Sequence, residues 1–376
     1  FIFEIQIISC ILMLLYLFTF ILSILFTYIA SLYYKNRMIF ILFSAVAVTP
    51  LIIIGGLRDV GVGYDTIAYP VSAYNYLQIN NNIYSILFAS AELEPLYYFL
   101  SYLAVNYFWD DVGAILFVTQ LIIIVVTYVA CCRIVGRSYL WISIFLYCFL
   151  FFNMELNMMR QGLALSFVLL GFSYLLDHKL KGYFICILVG FLFHKSAIFA
   201  LVFLPGVYWK NLRYSKYIVI GSLAFLMFFS TILNFITSLE GFSKYDAYSE
   251  GGNYSGTFSY SEFILRTLFL LCIYFLCSNK KKDIHFYQIF ALFVCEFVLN
   301  ILQIKSDFVG RLGLPIYILY LVYLPYYCMI NTSTWKIKKS NTVLLLFVVF
   351  LYWWYVYMVS DAGVTVDYSS SILGIH

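Results

Sequence analysis

The sequence contains very few charged residues. Only 11% of its 376 residues are Asp, Glu, Lys or Arg, whereas soluble globular domains have about 25%. A chain of this composition could not cover its apolar side chains with a polar surface, so a water-soluble globule is excluded. The net charge of +4 is dispersed over small basic clusters, and this dispersion excludes a nucleic-acid-binding surface.

The sequence also lacks the cysteine patterns of zinc sites and disulfide frameworks. Its nine cysteines lie in apolar segments or beside a basic cluster, and no C-x-x-C or Cys/His spacing occurs. Structural disulfides and a zinc site are therefore not expected. We predict neither a metal nor an organic cofactor.

Long apolar runs are what the sequence has instead. Hydrophobic residues make up 64% of the chain, and runs at 7–29, 115–130, 217–236 and 343–359 approach the length needed to cross a bilayer. We expect the first run to be a retained helix. The pattern predicts an all-α polytopic integral membrane protein, a single transmembrane domain over residues 1–376 with about twelve membrane-spanning helices.

Basic clusters between the runs predict the topology. The positive-inside rule assigns them to the cytoplasm, and it assigns the polar segments 55–94 and 238–262 to periplasmic loops. Residues 183–209 have basic residues at both ends and His194 in the middle, which predicts a short helical hairpin. The apolar segment 94–108 is expected to lie along the outer interface.

The first polar motif follows the second apolar run. Residues 55–66 are rich in glycine and include Arg58, Asp59 and Asp65, with Tyr69 shortly after. Glycines let a backbone approach a ligand closely, and arginine offers a planar set of donors suited to a phosphate. A tight loop with a surface ion pair between Arg58 and Asp59 explains the same residues equally well.

Two further motifs lie at predicted helix ends. Arg160 and Gln161 begin a helix, where an arginine either extends to the interface or faces a polar interior. His194 and Ser196 lie at the predicted hairpin tip, where a histidine has either a structural or a functional role.

The remaining candidates are Arg266 within an apolar run, Arg311 at a helix entry, and the carboxylate Glu94 before Pro95. An arginine at the bilayer centre costs about 2.5–3.5 kcal/mol, so Arg266 requires a partner or a ligand unless it sits shallowly. Nearly all of these groups fall on the outer side of the predicted topology. Their convergence predicts an outer-face cavity for an anionic, sugar-bearing or lipid-linked substrate.

At these positions the sequence resembles the EpsG-like branch of the Wzy polysaccharide polymerases, bacterial enzymes that extend O-antigen, exopolysaccharide or capsule chains. The tail at Asp367 and Tyr368 resembles a Pro-Tyr ending of that family, with Asp367 in place of the proline, and we assign Tyr368 no role. The resemblance depends on short motifs along most of the chain: Arg58-Asp59 with Gly61-x-Gly63-x-Asp65 and Tyr69, then Glu94, Asn157-x-x-Arg160-Gln161, His194-x-Ser196-Ala197, and Arg311.

The resemblance implies a substrate and roles for these residues. Family members use undecaprenyl-diphosphate-linked oligosaccharide as donor and acceptor on the periplasmic face of the inner membrane. The diphosphate would be bound by Arg58, Arg160 and Arg311. Arg266 is also assigned to the diphosphate, but on its intramembrane position alone. Asp59, Asp65, Glu94 and His194 are the candidates for the base, and Tyr69, Gln161 and Ser196 for further substrate contacts.

The expected partners are membrane lipids and, in the same membrane, a flippase and a chain-length regulator. Two other functions stay open at this point. One is a flippase or transporter of lipid-linked oligosaccharide, since a polar cavity among many helices also suits alternating access. The other is a ligase or acyltransferase that uses a related lipid-linked donor, with His194 as its base.

Overall fold

The structure is a computed structural model. It describes residues 2–79, 93–208, 213–237, 259–277, 285–305, 307–331, 334, 336–360, 363–365 and 367–375. The chain divides into two compact units, one of residues 1–198 and 343–376 and the other of residues 199–342. The predicted loop 238–262 lies mostly outside the described residues, as do residues 80–92 of the loop 55–94.

The helices of the first unit are α1 (Ile2–Leu32), α2 (Arg37–Gly56), α3 (Tyr64–Ile79), α4 (Pro95–Tyr107), α5 (Val112–Val135), α6 (Leu140–Asn157), α7 (Met159–Leu176) and α8 (Leu180–Phe193). Helix α1 packs on α2, α2 on α5, α5 on α7, and α7 on α8. The side chains of Asn36 and Asp111 accept hydrogen bonds from backbone amides in the first turns of α2 and α5, which satisfies donors that a helix start leaves open.

Helix α6 is irregular at its centre. A π-helical segment, Cys148–Phe152, interrupts it, and α6 then stops at Asn157 before α7 begins at Met159. Met158 leaves the helical conformation, with φ −92° and ψ 59°. Segments of π-helix are frequent at functional sites, and the residues that follow this one at the end of α6, Leu156 and Asn157, contact the segment after α2.

The second unit is smaller and also helical. It contains a short antiparallel pair, β1 (Ile330–Asn331) and β2 (Lys336–Ile337). Leu299, Leu302, Val309 and Leu312 form a buried cluster between two of its helices. The helices of this unit are α9 (Phe203–Tyr208), α10 (Arg213–Thr237), α11 (Tyr260–Leu276), α12 (Phe286–Leu302), α13 (Asp307–Tyr317) and α14 (Tyr320–Leu324). The buried cluster lies between α12 and α13. Helix α14 continues as the π-helix Pro325–Met329.

Helix α15 (Lys339–Trp353) and the π-helix Trp354–Val359 continue the chain. Within the described residues, seven helices are long and apolar enough to cross a membrane, and four shorter apolar helices accompany them. The prediction of an all-α multi-pass membrane protein is therefore confirmed. The number of twelve spans and the outer-face cavity stay predictions.

The predicted hairpin 183–209 contains a helix break at its middle. Helix α8 ends at Phe193, His194 is extended with φ −159° and ψ 129°, and a 3-10 helix covers Lys195–Val202. His194 is half-buried at this helix end, and its amide donates to the Gly190 carbonyl at 2.8 Å. The hairpin and both periplasmic loops stay predictions.

Candidate active site

Arg58 is buried in the loop between α2 and α3, and only 2% of its surface is exposed. Its guanidinium donates to the carbonyl of Gly55, to the carbonyl of Leu156 at 2.8 Å and to the sulfur of Met159 at 2.9 Å. Gly55 and Leu156 lie in the last turns of α2 and α6, where unpaired carbonyls form the negative ends of the helix dipoles. Two helix ends therefore hold one cation.

The charge of Arg58 is not neutralised by a carboxylate within the described ranges. Among the described residues none pairs with Arg58, and its Nε has no hydrogen-bond partner. Burial lowers the pKa of the Arg58 guanidinium to about 10, so the group still carries its charge at neutral pH. The predicted surface ion pair with Asp59 is not formed.

The glycine-rich loop folds against the end of α6. Gly63 has a φ of 95°, and a Cβ atom there would lie 3.1 Å from the Leu156 carbonyl oxygen. This conformation suits glycine, which pays no penalty for a positive φ. The Asp65 amide, at the start of α3, donates to Oδ1 of Asn157 at 3.1 Å. Asn157 thereby connects the break after α6 to the Asp65 turn.

Three predicted residues meet at the start of α7. Arg160 forms an ion pair with Glu94, and each side chain is only 12% exposed. The Arg160 guanidinium carbon lies 3.7 Å from the centre of the Tyr69 ring, a cation–π contact. The Nε of Arg160 is buried and has no hydrogen-bond partner in the described part of the chain.

A second polar chain begins at the next residue of α7. Gln161 donates to Oγ of Ser196 at 3.3 Å, and that oxygen lies 2.8 Å from Nδ1 of His194. The Ser196 amide also donates to Nδ1 at 3.3 Å. Because Nδ1 accepts these hydrogen bonds, the neutral ring carries its proton on Nε2. His194 therefore presents a donor at its other edge.

The carboxylate of Asp59 binds the C-terminal tail. Oδ1 accepts from the Ser371 amide at 2.9 Å and Oδ2 from the Ser371 hydroxyl at 3.1 Å. Nearby, the Tyr368 hydroxyl donates to the Ile54 carbonyl at 3.0 Å. The tail also reaches Tyr16 of α1, whose hydroxyl donates to the Thr365 carbonyl at 2.6 Å.

Arg266 and Arg311 belong to the second unit. Arg266 is 4% exposed and binds Oε1 of Glu296 at 2.6 Å and Oε2 of Glu262 at 2.8 Å. Its guanidinium carbon lies 4.4 Å from the centre of the Tyr317 ring. Arg311 is half-buried on α13. The assignment of both arginines to the diphosphate stays a prediction.

Sequence reasoning missed several residues of the site. Asn157 was part of a quoted motif but had no assigned role, and Tyr368 and Ser371 were separated from the loop by more than 300 residues. Tyr97 is fully buried one helical turn after Glu94. Its spacing of three residues from Glu94 was the available signal, because such residues share a helix face.

Together, these features define a multi-pass helical membrane protein with buried arginines and carboxylates near helix ends. The chain belongs to the EpsG family, a family of Wzy-like polysaccharide polymerases, whose model matches residues 40–370. Neither the curated proteins nor the solved structures gave a match to this chain.

Proposed function

We propose that this protein is a membrane glycosyltransferase that joins undecaprenyl-diphosphate-linked oligosaccharide units into a surface polysaccharide such as O-antigen. The observation that supports it most directly is the state of Arg58. A buried cation without a carboxylate partner is costly in a low-dielectric interior. An anionic ligand beside it would remove that cost, and a diphosphate is such an anion.

Arg160 supports the same substrate class. Among the residues that the structure describes, the Nε of Arg160 has no partner, and neither has the Nε of Arg58, so each guanidinium retains one N–H for a ligand. Charge-assisted hydrogen bonds from arginine to phosphate are strong and directional. The contact between Arg160 and Tyr69 holds the guanidinium plane in place before the substrate arrives.

The reaction then follows from the substrate. A hydroxyl of the acceptor sugar attacks the anomeric carbon of the donor, and the bond from that carbon to the diphosphate oxygen breaks. The diphosphate leaves with the electron pair, and preorganised cations stabilise the charge that develops on it. The proton of the attacking hydroxyl passes to a base of the protein.

Asp65 is our choice for that base, because Asn157 fixes the Asp65 turn at the same end of α6 that holds Arg58. Both carboxylate oxygens of Asp59 accept hydrogen bonds from Ser371, and the Glu94 carboxylate is engaged by Arg160. His194 accepts at Nδ1, so its Nε2–H acts as a donor rather than as a base. We assign His194, Gln161 and Ser196 to orienting the sugar or the diphosphate through that donor.

The two arginines of the second unit receive different roles. Two glutamates already engage the Arg266 guanidinium, which disfavours a diphosphate there and favours an ion pair that joins helices. Arg311 stays a candidate for the diphosphate. We place the reaction on the periplasmic face of a bacterial inner membrane, with a flippase supplying the substrate and a chain-length regulator as a further partner.

The test is reconstitution in liposomes with a defined polyprenyl-diphosphate oligosaccharide. A polymerase gives a product ladder that grows by whole repeat units, and Arg160→Ala abolishes the ladder. A ligase would instead transfer one preformed glycan to a different acceptor. A flippase would move the substrate between leaflets without a new glycosidic bond, and either result would reject the polymerase function.

A further inference from the structure

Tyr97 lies on α4, one turn after Glu94, and none of its surface is exposed. Its amide donates to the Glu94 carbonyl at 3.0 Å, so the same turn fixes the positions of both residues. The Tyr97 hydroxyl has no hydrogen-bond partner among the residues that the structure describes. A buried hydroxyl without a partner is unfavourable, so phenylalanine would suit a purely structural role better.

The surroundings of this hydroxyl are charged. It lies within electrostatic range of Arg160, Arg58 and Asp65. Burial raises the pKa of the Tyr97 hydroxyl, and the two arginines partly oppose that rise. The hydroxyl therefore keeps its proton at neutral pH and is available as a donor.

Three buried atoms in this region are donors without a partner in the described chain. They are Nε of Arg58, Nε of Arg160 and the hydroxyl of Tyr97. A guanidinium N–H can only donate, and a tyrosine hydroxyl can donate one hydrogen bond. A ligand that satisfies all three must offer acceptor oxygens and negative charge, as phosphate groups do.

We propose that the Tyr97 hydroxyl is a third ligand-binding donor of the diphosphate site and donates a hydrogen bond to a phosphate oxygen of the leaving group. This inference depends on the proposed polymerase function for the identity of the substrate. In the reaction the anomeric carbon–oxygen bond breaks and the diphosphate takes the electron pair. Tyr97 keeps its proton, because the proton of the acceptor hydroxyl goes to the carboxylate base.

The neighbouring residue provides a matched control. Tyr98 is 5% exposed, and the centre of its ring lies 4.9 Å from the centre of the Tyr76 ring. Tyr98→Phe removes one hydroxyl from the same helix turn, as Tyr97→Phe does. Both variants keep the ring, so both should fold, and thermal unfolding in detergent verifies this.

The experiment measures two quantities for the full-length protein. One is chain extension from a polyprenyl-diphosphate oligosaccharide in liposomes, and the other is binding of inorganic pyrophosphate by calorimetry. We expect Tyr97→Phe to lower kcat/KM by roughly 10- to 100-fold, the loss typical of a hydrogen bond to a charged group, and to weaken pyrophosphate binding. Tyr98→Phe should change neither quantity more than about twofold, well below the effect of a charged hydrogen bond.

The two measurements separate the two proposals. If Tyr97→Phe equals the wild type in both, the role of Tyr97 is rejected and the polymerase function stands. If the wild type forms no chains but binds pyrophosphate in a manner that depends on Tyr97, the polymerase function is rejected and the anion-binding role stands. Equal losses in Tyr97→Phe and Tyr98→Phe would also reject the specific role of Tyr97.

Discussion

Two buried arginines of this protein have opposite surroundings. Arg58, in the first unit, is held by carbonyl oxygens and a sulfur, and no carboxylate pairs with it in the described chain. Arg266, in the second unit, is held by two glutamates. Burial alone therefore does not indicate function in a membrane protein. What distinguishes the two is whether the protein itself supplies the counter-charge, because an arginine without one leaves room for an anionic ligand.

The largest effect on stability should come from Arg266→Met. Removal of the cation leaves the buried Glu296 and the part-exposed Glu262 without compensation, and loss of one partner of a buried ion pair typically costs about 3–5 kcal/mol. Thermal unfolding in detergent should show this as a large fall in the transition temperature. The double variant Arg266→Met with Glu296→Gln should recover part of the loss, and an unchanged transition in the single variant would contradict the comparison.

Arg58→Met should instead affect activity more than stability. The variant loses the cation that we assign to the departing diphosphate, and loss of one preorganised donor lowers kcat by roughly 10²–10³-fold. The loss of hydrogen bonds to two carbonyls is offset by removal of an uncompensated buried charge. Chain extension in liposomes and thermal unfolding in detergent are measured for Arg58→Met and Arg266→Met side by side. The contrast between the two arginines is rejected if Arg58→Met unfolds as readily as Arg266→Met.

Glu94→Gln sharpens the comparison at Arg160, which has one carboxylate partner. Without that carboxylate, Arg160 should bind the diphosphate more tightly, and we expect pyrophosphate affinity to rise about three- to tenfold while kcat is retained. Calorimetry and turnover give the two numbers. A large fall in kcat would show that Glu94, rather than Asp65, is the base.

The smallest effect is expected for Ser371→Ala in the tail. The variant loses one hydrogen bond to Asp59 at 3.1 Å, worth about 0.5–1.5 kcal/mol, and keeps the amide bond to the other carboxylate oxygen. Chain extension should fall less than tenfold. Ile372→Ala is the control, because this neighbouring side chain is 61% exposed and should have no effect; equal losses in both variants would reject the role of the hydroxyl.

Sequence patterns predicted the helical membrane fold because hydrophobic length is a local property. They also predicted that Arg160, Glu94 and Tyr69 lie on one side, and the structure brings these three into contact. The counter-charges were harder to predict. Glu296 lies 30 residues from Arg266 within an apolar run. That Arg58 contacts carbonyls rather than a carboxylate of the described chain depends on how two distant helix ends meet it.

The hydrogen bonds between the Arg58 loop and the tail also have a consequence for biosynthesis. Asp59 and Ser371 are 312 residues apart, and ribosomes add about 5–20 residues per second. The loop therefore enters the membrane some 15–60 s before the segment that binds it has been translated. Throughout that interval the Asp59 carboxylate lacks the two hydrogen bonds that Ser371 provides in the folded chain.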